Sequence, residues 1–238
     1  MTSPTEPEPS PIAAVADATA AIVNHSAPAN DLFGAQWCGA TLVAARTLLT
    51  AAHCVLGRRP GSLDVVIGAD NLCKTSVIAG ERLRIIAVRI NPDSRLDLAT
   101  LTTSSAARTR PIPISARSQF GGNARYFAEG WGRSNRSGPS PCTKQAVPLT
   151  AADPEACRSA ARNNPSRWHP SQLCASATPG SSRNTCIGDS GGPMYQIADG
   201  RLSLIAVVNW GTGCAADKPG FYSPAQAGHV GPSGEGAS

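Results

Sequence analysis

The sequence of 238 residues has few aromatic and few charged side chains, and lysine is almost absent. Lysine occurs only at positions 74, 144 and 218, so the net charge of +5 comes mostly from scattered arginines. No run of basic residues is interleaved with aromatic ones, which argues against nucleic-acid binding. No apolar run reaches the length of a membrane span, so we expect no membrane association.

The chain also lacks cysteine pairs at the CxxC spacing that is typical of zinc sites, although it contains eight cysteines. This content is high for a cytosolic protein and favours disulfides formed in an oxidising compartment, so we expect a secreted protein. Spacing alone does not select one set of disulfide pairs. Only four histidines are present and no two have metal-ligand spacing, so we expect neither a metal nor another cofactor.

The 23 glycines and 20 prolines argue against a helical bundle. Short segments rich in Val, Ile, Leu and Thr recur between them, which indicates an all-β sandwich or barrel. One helix is predicted to begin after Asp153, which can cap it, with Pro154 in its first turn. The predicted strands are Ala40–Val43, Thr47–Thr50, Asp64–Ile67, Leu83–Ile90, Leu98–Leu101, Arg125–Ala128, Gln145–Leu149, Pro193–Ile197 and Leu202–Val208.

Segments without hydrophobic periodicity divide the chain. Residues 1–21 are poor in large apolar side chains, which predicts a disordered, propeptide-like segment. Thr102–Gln119 contains two prolines, and we interpret it as a linker with a boundary near residue 115. Residues 224–238 are rich in Gly, Pro and Ala and are predicted to form a flexible tail. The two predicted domains are therefore 22–115 and 116–223.

Three short motifs contain residue types that nucleophilic catalysis requires. Ser190 lies between glycines in Gly-Asp-Ser-Gly-Gly-Pro, a pattern typical of an exposed tight turn. A serine hydroxyl is a poor nucleophile until a base removes its proton, so the functional interpretation requires a histidine and a carboxylate. The candidates are His53 in TAAHC and Asp97 in LDLATL. Taken singly, His53 is more commonly structural and Asp97 more commonly caps a turn.

Together, TAAHC, DLATL and GDSGGP resemble the trypsin-like (chymotrypsin-fold) serine proteases in their order and spacing. The resemblance runs from Ile22 to about Tyr222. It implies an all-β fold of two six-stranded antiparallel Greek-key barrels, packed side by side with the active site in the crevice between them. The N-terminal barrel would contain His53 and Asp97, and the C-terminal barrel Ser190.

The resemblance also assigns a role to individual residues. Ser190 would attack a peptide carbonyl, His53 would transfer the proton, and Asp97 would orient the imidazole. The amides of Gly188 and Ser190 would form the oxyanion hole. Ile22 would become a new N-terminus after cleavage of a zymogen and pair its ammonium with Asp189.

Substrate preference is inferred from Asn184, which stands where trypsin has an aspartate. Without that carboxylate an Arg or Lys side chain would lose its counter-ion, so we expect an uncharged residue before the cleaved bond. Asn209 replaces a serine of the family and is expected to donate a hydrogen bond to Asp97. The other substrate-binding residues implied by the resemblance are Thr185, Ile187, Trp210, Gly211, Gly213 and Gly220.

The resemblance further implies three disulfides, which join Cys38 to Cys54, Cys157 to Cys174, and Cys186 to Cys214. Cys73 and Cys142 remain and are predicted to pair with each other.

The predicted function is that of a secreted, monomeric serine endopeptidase with protein or peptide substrates and protein inhibitors as partners. The alternative is a non-catalytic, protease-like binding protein (a pseudoprotease), suggested by Asn209, by the altered start at Ile22 and by the absence of a C-terminal amphipathic helix. The intact set of His53, Asp97 and Ser190 favours the enzyme.

Overall fold

The computed structural model describes residues 17–73, 80–115, 120–121 and 123–226, and these form two closed antiparallel β-barrels. The first barrel contains β1 (Thr19–Asn24), β2 (Gln36–Ala44), β3 (Thr47–Ala51), β4 (Leu63–Ile67), β5 (Glu81–Ile90) and β6 (Leu98–Thr103). The second contains β7 (Arg125–Gly130), β8 (Gln145–Ala151), β9 (Leu173–Ala177), β10 (Pro193–Ala198), β11 (Arg201–Gly211) and β12 (Gly220–Pro224). The barrels close in the orders β1-β2-β3-β6-β5-β4 and β10-β11-β12-β9-β8-β7. The predicted all-β fold of two six-stranded barrels is confirmed.

All the predicted strands are present, and three further strands were not predicted. The missed strands are β1, β9 and β12, whose sequences TAAIVN, LCASA and GFYSP contain small residues, glycine or proline. Such residues have low intrinsic strand preference. These segments are strands because each closes a barrel between two neighbours, as β12 does between β11 and β9.

Strand β1 corrects the prediction for the leading segment. Ile22 lies opposite Cys38 of β2 on one side and Val65 of β4 on the other. Thr19–Ala21 continue this pairing and are fully buried, so the prediction of disorder over residues 1–21 is wrong for these three residues. Residues 1–16 of that segment lie outside the described residues.

In the described part of the chain, two α-helices connect strands. The first, α1 (Leu32–Ala35), was not predicted. The second, α2 (Pro154–Asn163), confirms the predicted helix, because the Asp153 carboxylate accepts a hydrogen bond from Ala156 N at 2.8 Å. Over the described ranges, none of the helices has the length and apolar character that crossing a membrane requires.

The segment predicted to link the domains is hydrogen-bonded to both barrels. Ile112 N donates to the Leu42 carbonyl at 3.0 Å, and Ser115 N donates to the Leu204 carbonyl at 2.8 Å. The linker begins later than predicted, since Thr102 and Thr103 belong to β6. The predicted tail likewise begins inside β12, because Pro224 ends that strand. Residues 116–119 and 227–238 lie outside the described residues, and the domain boundaries stay predictions.

Four disulfides are present, and they are the four predicted pairs: Cys38–Cys54, Cys73–Cys142, Cys157–Cys174 and Cys186–Cys214. The first joins β2 to the turn after β3, and the third joins α2 to β9. The fourth joins the segment just before Ser190 to the segment just after β11. The disulfides therefore brace the loops at the ends of the strands, where the candidate functional residues lie.

Candidate active site

His53 and Asp97 meet at one edge of the first barrel. His53 lies in the short 3₁₀ helix Ala52–Cys54 that follows β3, and Asp97 immediately precedes β6. The distance from His53 Nδ1 to Asp97 Oδ2 is 2.6 Å, and the His53 backbone N–H donates to Asp97 Oδ1 at 2.8 Å. Because the carboxylate accepts the Nδ1 proton, the imidazole presents Nε2 as a base.

The turn that contains Ser190 reaches across from the second barrel to the first. Two glycines with positive φ flank Ser190 in this turn. Gly188, two residues before it, has φ 100°, and Gly191, directly after it, has φ 79°. A β-carbon at Gly191 would lie 2.5 Å from the Gly39 carbonyl oxygen and closer still to the Thr50 hydroxyl. The Ser190 carbonyl accepts a hydrogen bond from Gly39 N at 2.8 Å. Glycine at position 191 therefore allows the turn to dock directly on β2.

The Cys38–Cys54 disulfide lies between Ser190 and His53. Cys54 Sγ is 3.8 Å from His53 Nε2 and 3.5 Å from the Ser190 carbonyl oxygen. Among the described residues, no hydrogen bond joins Ser190 Oγ to His53 Nε2, so the structure pairs His53 with Asp97 and places Ser190 beside this pair. Catalytic hydrogen bonds are commonly long in unliganded proteases and shorten when substrate binds. Cys38, His53 and Cys54 also cluster closely enough for metal ligation, but two of them form this disulfide.

The two amides assigned to an oxyanion hole, those of Gly188 and Ser190, have no hydrogen-bond acceptor within the described ranges. Neighbouring groups of the same turn are engaged: Asp189 N donates to the Cys186 carbonyl at 3.0 Å, and Gln36 Nε2 donates to the Gly188 carbonyl at 2.9 Å. Both amides are therefore available to a bound oxygen. Gln36 was missed from the sequence, because only barrel packing brings residue 36 to residue 188.

Asp189 is buried and forms no salt bridge among the described residues, although the positive charge of Arg183 acts to lower its pKa. Its carboxylate accepts hydrogen bonds from Gly132 N at 2.8 Å and from Cys186 N at 2.9 Å. Burial raises the pKa of Asp189 to about 6, and these two amide donors oppose the increase. The carboxylate therefore ties the Ser190 turn to the segments that contain Gly132 and Cys186.

The predicted pairing of Asp189 with a new N-terminus at Ile22 is wrong. Ile22 is fully buried in the middle of β1, where its side chain packs in the interior of the first barrel. Cleavage before Ile22 would separate Thr19–Ala21 from the rest of a strand that pairs on both sides. The Ile-Val pair is thus a strand sequence, in which Ile22 and Val23 face opposite sides of the sheet.

A cavity of about 170 Å³ opens beside Ser190. Most of the predicted substrate-binding residues line it: Thr185, Ile187, Asn209, Trp210, Gly211 and Gly213. Asn184 and Gly220 are absent from this lining. Asn184 is buried, and its side-chain amide is bound by the backbone: Nδ2 donates to the Lys218 carbonyl at 2.7 Å and Oδ1 accepts from Thr185 N at 2.8 Å. Gly220 lies against the Tyr222 ring.

The expected hydrogen bond from Asn209 to Asp97 is not formed. Asn209 is buried and its Nδ2 donates to Ser223 Oγ at 2.9 Å. Ser223 Oγ in turn donates to the Leu96 carbonyl, one residue before Asp97. The sequence contains no local signal for Ser223, because its partners lie in β11 and in the turn before β6.

Two arginines that sequence reasoning missed also line the cavity, Arg136 and Arg167. The Arg167 guanidinium lies 5.3 Å from the centre of the Trp210 ring. Both arginines come from loops far from Ser190 in sequence, so only the folded chain brings them to the cavity.

A family model described as Trypsin matches residues 15–228. The chain is 30% identical over 199 residues to "Trypsin" of Saccharopolyspora erythraea, covering 80% of this chain and 82% of that protein. It is 29% identical to "Trypsin alpha-4" of Lucilia cuprina, covering 80% and 74% of the two chains. It is 32% identical to "Serine protease Hayan" of Drosophila melanogaster over 78% of this chain, a match that spans 32% of that longer protein.

Proposed function

Since this chain belongs to the trypsin family of serine proteases, we propose that it is a serine endopeptidase that cleaves peptide bonds through an acyl-enzyme on Ser190. The observation that carries this proposal is the 2.6 Å contact between His53 Nδ1 and Asp97 Oδ2 beside the Ser190 turn. This contact supplies an oriented base next to a nucleophile on a glycine-rich turn, as acyl transfer requires.

In the proposed reaction Ser190 Oγ attacks the substrate carbonyl carbon while His53 Nε2 accepts the hydroxyl proton. The protonated imidazole then gives that proton to the leaving amine, and Asp97 stabilises the positive charge. The amides of Gly188 and Ser190 donate to the carbonyl oxygen as it becomes negative. A water molecule, activated by the same histidine, releases the acyl group and restores Ser190.

We propose an uncharged side chain on the residue before the cleaved bond. The residues that line the cavity beside Ser190 include no carboxylate. Asn184, the residue in the place of trypsin's aspartate, is neutral, and both ends of its amide are hydrogen-bonded to the backbone. An Arg or Lys side chain in this cavity would therefore have no counter-ion. A strong preference for Arg or Lys in a peptide library would refute this part of the proposal.

We further propose that the protein is secreted as a monomer and acts on protein or peptide substrates, with protein inhibitors as further partners. Four disulfides support the location, because such bonds persist in oxidising compartments. Cleavage before Ile22 is no part of this proposal.

The test is labelling with a fluorophosphonate, which reacts with an activated serine. We expect the wild-type chain, either at full length or cut within residues 1–16, to label at Ser190 and to hydrolyse peptides. Ser190→Ala and His53→Ala are the controls that abolish labelling and lower kcat by about 10⁴ to 10⁶. The absence of labelling in every wild-type form would overturn the enzymatic proposal.

A second candidate function is peptide binding without turnover. It is favoured by the missing hydrogen bond between Ser190 Oγ and His53 Nε2 among the described residues. Under this alternative, peptides would bind in the cavity beside Ser190 while neither labelling nor hydrolysis occurred. Measuring peptide affinity by calorimetry alongside the labelling experiment separates the two functions.

A further inference from the structure

The cavity beside Ser190 is lined by two cationic side chains and by no anionic one. Arg136 and Arg167 share this lining with Ser190, Ile187 and Trp210. Both arginines are exposed, and neither forms an ion pair with a carboxylate in the described part of the chain. The cavity therefore presents positive charge to whatever enters it.

Arg167 is held on one wall of the cavity. Its guanidinium lies 5.3 Å from the centre of the Trp210 ring, and that ring is stacked on Phe221 with centroids 4.0 Å apart. A guanidinium over an aromatic face keeps its N–H groups at the edge of the contact, where they can donate to a ligand. Trp210 therefore restricts where Arg167 can place its charge.

Arg136 lines the same cavity, as does Ile187. The connection runs through Arg133, whose backbone N donates to the Ile187 carbonyl at 2.9 Å. Arg133 Nη1 also approaches the Arg136 carbonyl oxygen at 3.5 Å. The loop that contains Arg136 is therefore attached to the segment immediately before Gly188, whereas Arg167 is held at Trp210.

Three carboxylates near Ser190 or the cavity wall, those of Asp97, Asp189 and Asp217, form no ion pair with Arg136 or Arg167. Asp97 is bound to His53, and Asp189 is buried under the turn. Asp217 is 3.5 Å from Lys218, a third cation whose side chain approaches Gly213 on the cavity wall. Asp217 therefore neutralises part of the charge of Lys218 and forms no ion pair with either arginine.

From this arrangement we propose that the substrates are acidic polypeptides, with Asp or Glu side chains on both sides of the cleaved bond. This inference rests on the proposed endopeptidase function. Acidic side chains on one side of the bond would meet Arg167 near Trp210, and those on the other side would meet Arg136 near Ile187. The uncharged residue at the bond would occupy the cavity between them.

The test uses three peptides that share one uncharged residue before the cleaved bond and differ only in the flanking residues: Asp and Glu, Asn and Gln, or Lys. At low salt we expect kcat/KM to be about two- to fivefold higher for each acidic residue than for its amide counterpart. The lysine peptide should be the slowest. At about 1 M salt the differences should largely disappear, because the screening length falls to about 3 Å.

Arg136→Gln and Arg167→Gln are each expected to lose more activity on the acidic peptide than on the amide peptide. Arg201→Gln is the matched control, since Arg201 begins β11 while Trp210 lies near its other end, about 30 Å along the strand. Equal loss of the acidic preference in Arg201→Gln would mean that overall charge, and not these two arginines, sets it, which would overturn the proposal.

Peptide binding to the Ser190→Ala variant separates failure of this inference from failure of the proposed function. If the wild type cleaves the amide peptide but neither cleaves nor binds the acidic peptide better, the inference is wrong and the enzymatic function stands. If no peptide is cleaved and Ser190 does not label, the enzymatic function is wrong. Tighter binding of the acidic peptide to Ser190→Ala would then still support an acidic ligand, and equal binding would overturn it.

Discussion

The Asn209 side-chain amide donates a hydrogen bond to the Ser223 hydroxyl at 2.9 Å, and that hydroxyl donates to the Leu96 carbonyl. Leu96 precedes Asp97, which has φ 49° and ψ 47°, a left-handed conformation that side chains other than glycine disfavour. The second barrel thus supports the strained turn that presents the Asp97 carboxylate to His53.

Removing the Ser223 hydroxyl should weaken both stability and activity. In Ser223→Ala the buried Asn209 amide and the Leu96 carbonyl lose a partner, so we expect the free energy of unfolding to fall by about 1–3 kcal/mol. We also expect kcat to fall severalfold as the Asp97 turn loses its support. Ser223→Thr keeps the hydroxyl and should retain more of both. Urea unfolding and the pH profile of kcat measure the two effects. An unchanged kcat would mean that the hydrogen bonds of Ser223 contribute to stability and not to activity.

Gly191 and Gly57 form a matched pair that separates crowding from backbone strain. Both have positive φ, 79° and 75°, but a β-carbon at Gly57 meets no atom within 4 Å. Gly57→Ala should cost about 1–2 kcal/mol of stability and leave labelling of Ser190 intact. Gly191→Ala should cost more and abolish labelling, because its β-carbon would overlap the Gly39 carbonyl. Equal effects of the two substitutions on labelling would contradict this account of the Ser190 turn.

The Cys38–Cys54 disulfide should matter for activity beyond its effect on stability. It closes 16 residues, and Cys157–Cys174 closes 17, so removing either should cost a similar free energy of about 3 kcal/mol. Only the first lies beside both His53 and Ser190. Double alanine variants, assayed well below their unfolding temperatures, should therefore differ about tenfold or more in kcat/KM. Similar activities would contradict a role for Cys38–Cys54 in positioning the site.

Glu129 should make the protein less stable as the pH rises towards neutrality. Burial raises the pKa of Glu129 from 4.5 to about 7, although Lys144, 3.3 Å away, and the Thr19 hydroxyl favour the ionised form. Between these pH values the folded state binds more protons than the unfolded state, so its stability falls as pH increases, by about 3 kcal/mol over the whole window.

Urea unfolding at pH 5 and pH 7.5 tests this expectation. The pH dependence should be smaller in Glu129→Gln than in the wild type. The control is Glu155→Gln, because Arg162 and Arg158 lower the pKa of that exposed carboxyl and it does not titrate in this window. Asp189, whose pKa burial raises to about 6, should leave a smaller pH dependence in this variant. A pH dependence as large in Glu129→Gln as in the wild type would contradict the role of Glu129.

Much of the candidate site was predictable because its chemistry is encoded in short motifs. TAAHC, DLATL and GDSGGP each contain one essential side chain together with the residues that form its turn. The nine predicted strands were likewise apparent from local apolar character. Strands β1, β9 and β12 were not, since their small residues become strands only between the neighbours that close each barrel.

The error at Ile22 has the same origin. Ile-Val fits a buried strand as well as a newly formed chain start, and the distinction depends on pairing with Cys38 and Val65, which sequence spacing does not reveal. Asn209 was likewise assigned to Asp97, although its partner is Ser223. In both cases the partner is far away in the chain.

By itself, then, the sequence determined the family, the nucleophile, base and carboxylate, the three disulfide pairs that the family resemblance implied, and the fourth pair, Cys73–Cys142, which remained. The tertiary structure alone decided that Ile22 is buried in a strand, that Asn184 is buried outside the lining of the cavity beside Ser190, and that Arg136 and Arg167 belong to that lining. The physical reason is that reactive side chains and their turns are local in sequence. The charge, shape and hydrogen bonds of a cleft arise where two separately closed barrels and their loops meet.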